Sequence, residues 1–334
     1  MEKAAMDVDS SSSRAQVRAG GTVLSLLAGS LCVPILRAHL EGPLRMPDLR
    51  NRLGGTAQTT LRGQVANLRT IGALERRVFS GMPYTVENEL TGAGQDILAV
   101  ADAAESWLSR APHGPLAIGS EPAKGAIRAL VAGWESSIIG TLVARPRSLT
   151  ALDGAIAEIS YPSLERRLSA LRAARQVEMA PGGAGAAKPY SVTEWTRLAV
   201  TSLVAASRCE GEHERLASAS EPLTPDDIKV FFLLAAPLAV LPPSASGSCC
   251  LAVGETNGEE SSEPWTGVGI EIERGEVVSC ASASGPPSAA WATGRVESWA
   301  AAILDGCAGT ALEFGGDDPG LAEALVQGMC LALR

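Results

Sequence analysis

Aromatic residues make up only 4% of this chain, lysine supplies 4 of its 28 basic residues, and there are just three histidines. The cores must therefore be built mainly from Ala, Leu, Val and Ile. Positive charge is almost wholly guanidinium, a bias that fits a GC-rich bacterial genome better than any functional demand. His39, His113 and His213 are isolated in sequence, and no Cys or His pair has metal-ligand spacing, Cys249-Cys250 being adjacent in a predicted strand. Neither a G-x-S-x-G elbow nor a P-loop is found. Gly267-Val268-Gly269 lacks the third glycine of a dinucleotide fingerprint, because position 272 is Ile. Asp317 and Asp318 open a predicted helix, where capping explains them. An enzyme is thus the least supported reading, since no nucleophile, base, metal or cofactor site can be named. No apolar run reaches the length of a membrane span. Met1 to Arg18 holds acids and a serine run instead of a basic segment followed by an apolar one, which predicts a disordered tail and not a signal peptide. Seven cysteines, an odd number without paired spacing, predict reduced thiols and a cytoplasmic location.

What is present is one motif written twice, over residues 31 to 92 and 134 to 196. At an offset of 103, Ile35, Pro43, Leu49, Leu61 and Leu68 recur as Ile138, Pro146, Leu152, Leu164 and Leu171. In the same register Leu36, Leu40, Leu53, Val65 and Leu74 meet Ile139, Val143, Ile156, Leu168 and Val177, so apolar positions face apolar positions. Pro83-Tyr84-Thr85-Val86 then reappears as Pro189-Tyr190-Ser191-Val192 at an offset of 106, which places three extra residues in the Gly/Ala-rich stretch Pro181 to Lys188. Two copies of one small domain follow from this.

Within the first copy, Val23 to Leu40 has helical periodicity with Pro34 expected to bend it. Met46, Leu49 and Leu53 form a short second helix ended by Gly54-Gly55. Leu61, Val65, Leu68 and Ile71 form a third, which stops at Gly72. Leu74 to Phe79 and Tyr84 to Leu90 alternate like strands around Ser80-Gly81-Met82-Pro83. Three helices and a β-hairpin in that order make a winged helix-turn-helix.

The run Leu49, Ala57-Gln58-Thr59-Thr60-Leu61, Val65 to Arg77, Pro83-Tyr84-Thr85-Val86 and Leu90-Thr91-Gly92-Ala93-Gly94 resembles the HxlR-type branch of winged-helix transcriptional regulators. The resemblance implies that the third helix enters the major groove, that the wing touches the DNA backbone and that flanking helices form a homodimer. Here it implies a tandem version, one chain supplying both halves. The second copy departs from the pattern, with Trp195-Thr196-Arg197-Leu198 in place of the Leu-Thr-x-x-Gly turn.

Charge is unevenly spread. Residues 1 to 200 carry a net +4 and residues 201 to 334 a net −13. In the first copy Arg62, Arg69, Arg76 and Arg77 are candidates for phosphate pairing or guanine reading, with Gln58, Thr59, Thr60, Gln64 and Asn67 as neutral readers. In the second copy the candidates are Ser163, Arg166, Arg167 and Arg172, with Lys188 on the wing. A solvated helix face is the plain alternative for both stripes.

Beyond residue 220 the pattern changes. Ile228 to Leu241 is an apolar helix, Cys249 to Val253, Gly267 to Ile272 and Val277 to Ala283 read as strands, and Val296 to Leu304 and Leu321 to Leu333 as helices flanking a strand at Thr310 to Phe314. Trp265, Gly267 to Val277, Ala290 to Gly294, Trp299 to Gly306 and Phe314 to Asp317 resemble the sterol carrier protein type 2-like fold. That resemblance implies an apolar tunnel for a hydrophobic small molecule, with Trp265, Trp291 and Trp299 as candidate ligand contacts.

The expected fold is α+β: a tail over 1–18, winged helix-turn-helix domains over 19–111 and 112–218, and a sterol-carrier-like domain over 219–334. The expected function is a transcriptional regulator that binds double-stranded DNA, as a homodimer or as a monomer acting as a pseudo-dimer. It is expected to answer a hydrophobic small-molecule effector, with no metal, no cofactor and no membrane partner. The alternative is a small-molecule binding or sequestering protein that keeps winged-helix domains as scaffold.

Overall fold

The computed structural model describes residues 19–79, 85–156, 158–180, 188–254, 266–283, 289–306 and 311–333. The apolar segment after residue 20 is not one bent helix. It is two, α1 (Gly21–Leu27) and α2 (Cys32–Ala38), which meet at 83°. Pro34 lies inside the first turn of α2, where its missing N–H would have had no helical partner, and the break falls at Gly29-Ser30 instead. Next comes α3 (Met46–Arg52), whose exit through Gly54 and Gly55 takes two consecutive positive φ angles, 68° and 80°. Leu61, Val65 and Leu68, at 3.6-residue spacing, turn one face of α4 (Gln58–Thr70) into the core. The antiparallel hairpin β1 (Leu74–Phe79) and β2 (Thr85–Leu90) pairs Leu74 with Leu90. Thr91 then caps α5 (Gly92–Ser109), its hydroxyl accepting from the Gly94 N–H at 3.1 Å. Gly94 is obligatory there, because a Cβ would sit 2.3 Å from the Ala73 carbonyl oxygen.

The same order of elements follows: α6 (Glu121–Val131), α7 (Gly133–Ala144), α8 (Leu149–Ala155), α9 (Tyr161–Ala173), the hairpin β3 (Val177–Met179) and β4 (Tyr190–Val192), then α10 (Glu194–Leu198) and α11 (Val200–Glu212). The buried residues of α9 are Leu164, Leu168 and Leu171, each 103 positions after its counterpart in α4. The hairpin alignment expected at an offset of 106 does not hold. Leu44 bridges Asn88 in the first unit and Arg147 bridges Tyr190 in the second, so Tyr190 stands where Asn88 does and not where Tyr84 would. Val177 pairs with Val192 as Leu74 pairs with Leu90, which makes the second hairpin one residue shorter instead of three longer. The capping turn also survives, one turn before the expected place. Thr193 accepts from the Thr196 N–H at 3.3 Å and donates to the Arg175 carbonyl at 2.8 Å, just as Thr91 donates to the Gly72 carbonyl at 2.6 Å. Hydrogen bonds at the helix start fix the register; Pro83 and Tyr84 of the expected likeness lie outside the described residues. Arg175 occupies the left-handed position (φ 58°) that Gly72 fills in the first unit.

The two units share a seam. α5 runs antiparallel to α10 and α11, tied at one end by stacked Trp107 and Trp195 (centroids 5.0 Å apart) and at the other by His213 and Asp96 at 2.7 Å. Glu210 on α11 reaches across to cap α1, accepting from the Gly20 and Val23 N–H groups at 3.0 and 2.8 Å. Burial pushes its carboxyl above the ordinary range, and the backbone N–H groups offset part of that. An acid whose pKa is higher folded than unfolded favours folding at low pH and loses that contribution as pH rises through the folded value. The stability of wild type against urea should therefore fall as pH rises from the ordinary carboxylate range through the raised value, relative to Glu210→Gln, whose profile should lack this component; parallel profiles would refute the assignment.

Beyond the short α12 (Glu214–Ala217), Thr224 and Asp227 form a reciprocal capping box on α13 (Pro225–Ala235). The helix gives way to a 3₁₀ turn over Ala236–Leu238, earlier than the expected end at Leu241. Arg197 Nη1 donates to the Leu233 carbonyl at 2.8 Å and joins α10 to this last unit. A five-stranded sheet follows, built from β5 (Gly247–Val253), β6 (Thr266–Glu273), β7 (Glu276–Ala283), β8 (Ala290–Gly294) and β9 (Glu313–Gly316), in the order β7-β6-β5-β8-β9. Only the β5–β8 pair is parallel. Cys249, Leu251, Val268, Ile270, Ala290 and Ala292 alternate onto the core-facing side, where α13 and α15 (Pro319–Ala332) pack, and α14 (Val296–Asp305) links β8 to β9. The mixture of helix and sheet is the expected α+β class. No single helix among the described residues is long and apolar enough to cross a membrane; the two bent pairs α1–α2 and α6–α7 pass that test only together.

Cys32, Cys209, Cys249, Cys250 and Cys280 are free. Burial pushes the thiols of Cys32, Cys209, Cys249 and Cys280 up to about 12, so none of these four is a thiolate at neutral pH. Cys330 is disulfide-bonded, against the expectation of reduced thiols throughout.

Candidate nucleic-acid interface

Because Leu61, Val65 and Leu68 face inward, the helical period puts Thr59, Gly63, Ala66 and Thr70 at the outer centre of α4, flanked by Arg62 and Asn67. Gln58, Thr59, Thr60, Arg62, Asn67 and Arg69 are exposed and Gln64 is half-buried. Ala57 at the N-cap offers no side-chain acceptor and the first turn carries no acid, so the positive end of the helix dipole is uncompensated by side chains. Arg62, Arg69 and Arg76 have no ion-pair partner among the described residues. Arg77 differs: it pairs with Glu75 at 3.3 Å and, diagonally across the hairpin, with Glu89. Arg50, exposed on α3 and not singled out by sequence, adds another cation without an ion-pair partner among the described residues. Its signal was available, since the helix before the recognition helix of a helix-turn-helix crosses the DNA backbone.

The second unit presents a different surface. Arg166 is exposed at the position of Gly63, whereas Glu165 stands at the position of Arg62 and reverses its charge. Arg167 is turned inward to pair with Glu135 on α7. Arg172 lies 5.8 Å over the Tyr190 ring. Ser163 is half-buried, and Lys188 is exposed just before β4. Of the second set, therefore, Arg166 and Lys188 point freely to solvent, while Arg167 and Arg172 are engaged within the protein.

Of the three tryptophans expected to line a ligand tunnel, the two among the described residues lie on different sides of the sheet. Trp299 is fully buried, its Nε1 donating to the Ala252 carbonyl at 2.7 Å and its ring set edge-on to Phe232. Trp291 alternates with the core-facing Ala290 and Ala292, so it projects from the opposite side of the sheet, against Gly315. Trp265 lies outside the described residues.

Asp96, Glu212 and His213 bring three ligand-type atoms within 4.8 Å of one another, an association that a separation of over a hundred residues hid from spacing arguments.

No curated protein matches the chain. Residues 27–113, from the end of α1 through the hairpin and α5, match the HxlR-like helix-turn-helix family. The segment that carries Arg62, Arg69 and Arg76 is thus similar to an HxlR-type helix-turn-helix, and the match supports a DNA-binding transcriptional regulator.

Proposed function

We propose that the chain is a DNA-binding transcriptional regulator in which two winged helix-turn-helix units, 19–111 and 112–218, are fused so that one molecule presents α4 and α9 to adjacent half-sites. The observation that carries the reading is the outer face of α4, where Arg62 and Arg69 stand unpaired among the described residues, on the segment similar to the HxlR-like family. The repeated element order supports the fusion. Phosphate contacts from these arginines supply affinity that falls with salt, and the neutral side chains of α4 read base edges. Residues 219–334 are the acidic accessory unit, and a hydrophobic small molecule is the effector. The protein works in the cytoplasm, on its own or as a dimer.

A second reading, a small-molecule binding protein that retains these units as scaffold, draws on Glu165, on the Arg167–Glu135 pair and on the Arg172–Tyr190 contact. A gel shift and footprint on the DNA upstream of the protein's own gene, across a salt series, separates the two. A two-part protected site whose affinity falls steeply with salt is expected; no specific shift at low salt would give the scaffold reading the field.

A further inference from the structure

α6, the start of α7 and the C-terminal half of α9 surround a cavity of about 970 Å³, placed at the joint between the two units and outside the C-terminal sheet. Gly125 and Ala129 line it from α6, Ala170 and Ala173 from α9, and Trp195 from the start of α10. The size and the apolar lining are those of a small-molecule site. Two polar groups fix its edges. Gln176, buried, donates from Nε2 to the Ala126 carbonyl at 3.0 Å, and Glu135 holds Arg167 of α9. The lining charge that is most enclosed, Glu135, is already neutralised by that pair, while Arg128 is exposed.

The first unit shows how such a corner is closed. There α12 follows α11, Arg215 packs on Gly72 at 3.1 Å from where a Cβ would be, and the next residue, Leu216, is fully buried. After α5 the chain does the same with His113, which meets Arg175 at 3.4 Å, but the next residue is Gly114, beside which a Cβ would find nothing within 4 Å. The segment after His113 contributes Leu116 to the cavity lining, and that leucine is only half-buried.

We infer that this cavity binds an uncharged, largely apolar small molecule, and that its occupant is felt at α9 through Glu135 and Arg167. A guest wedged between α6 and α9 shifts the position of α9 only by as much as it prefers one placement over another. The regulatory half of the inference rests on the regulator reading above; the binding half does not.

The test uses the full chain and Nile red, an uncharged apolar dye, titrated by fluorescence in the absence of DNA. Gly125 has open space around its would-be Cβ, so Gly125→Trp fills the cavity without a backbone clash and removes a helix-weakening glycine. Ala173→Trp fills it from the opposite wall, where Ala173 is exposed. Both variants should melt cooperatively near wild type and bind the dye about tenfold more weakly or worse, while Trp291→Ala binds it normally. If Gly125→Trp lowers the melting point, Gly125→Leu and Ala173→Trp carry the comparison. Absence of saturable dye binding in wild type, wild-type binding by folded cavity-filled variants, or loss confined to Trp291→Ala would each overturn the site. Dye binding that disappears leaves the gel shift standing, and a failed gel shift leaves dye binding standing, so the two readings fail separately.

Discussion

Arg62→Ala combined with Arg69→Ala should abolish specific DNA retention at physiological salt and leave the fold intact. The two residues are seven apart, two helical turns, so their side chains stand in one row about 10 Å long on the same flank of α4. Both are exposed and without ion-pair partners among the described residues, and surface changes of that kind usually alter stability by less than about 0.5 kcal/mol. A bidentate arginine contact to guanine contributes about 1–3 kcal/mol, so two of them are worth roughly thirtyfold to twenty-thousandfold in affinity. Where the lost contacts are to phosphate, the slope of log K against log salt shrinks by about 1 per arginine. Arg77→Ala is the internal comparison: Glu75 and Glu89 already share its charge, so its removal should weaken binding much less. Retention unchanged in the double variant would sink the placement of α4 on DNA.

Trp107→Ala should cost about 3–5 kcal/mol in chemical unfolding, the largest stability loss expected from any single change at the seam. Its ring stacks on Trp195 with planes 17° apart, and the two indoles exchange hydrogen bonds with each other's backbone, Trp107 Nε1 to the Trp195 carbonyl at 2.8 Å and Trp195 Nε1 to the Trp107 carbonyl at 3.1 Å. Alanine removes the packed ring and orphans the Trp195 carbonyl in a buried place. Trp107→Phe keeps an aromatic ring and forfeits the hydrogen bond, so it should lose about 1–2 kcal/mol, well short of the alanine variant. A double-mutant cycle with Trp195→Ala measures the coupling. A coupling energy of about 1 kcal/mol or more is expected from a stacked, doubly hydrogen-bonded pair; strict additivity would show that the two rings stabilise their own units independently. Because α4 and α9 are positioned by the halves that this pair joins, the Phe variant should also loosen half-site spacing in a footprint.

Apolar periodicity made the helices legible before any coordinates. Leu61, Val65 and Leu68 and their counterparts Leu164, Leu168 and Leu171 mark their helices because a side chain every 3.6 residues must leave water on the same face. Four of the five strands of the last unit were legible by alternation, with β9 displaced from Thr310–Phe314 to Glu313–Gly316, where glycines give no alternation to read, while β8 over Ala290–Gly294 was not read as a strand, since its small residues are buried on both faces. What sequence could not show was pairing. The register of the second hairpin is set by backbone hydrogen bonds, from the Thr193 N–H to the Gln176 carbonyl and from the Arg147 N–H to the Tyr190 carbonyl, which leave no trace in residue type, so a four-residue likeness misplaced it. The inward turn of Arg167 depends on Glu135, thirty-two positions earlier, and the contact of Arg172 on Tyr190 depends on the hairpin folding back. Both residues look like free cations in a linear reading. The cavity beside α6 and α9 is unfilled space, which no pattern of present residues can announce.

The opposition of Arg62 on one helix and Glu165 on the other bears on what kind of message such a molecule can address. Identical subunits related by a two-fold axis must place identical chemistry on both halves of their target, which confines them to inverted repeats. A single polypeptide has no such obligation. Once both halves are encoded separately, substitutions accumulate in one without appearing in the other, and the partner is delivered at a fixed local concentration instead of being recruited from solution. The loss of palindromy is then a gain in vocabulary: one gene product can name a sequence whose two ends are different words.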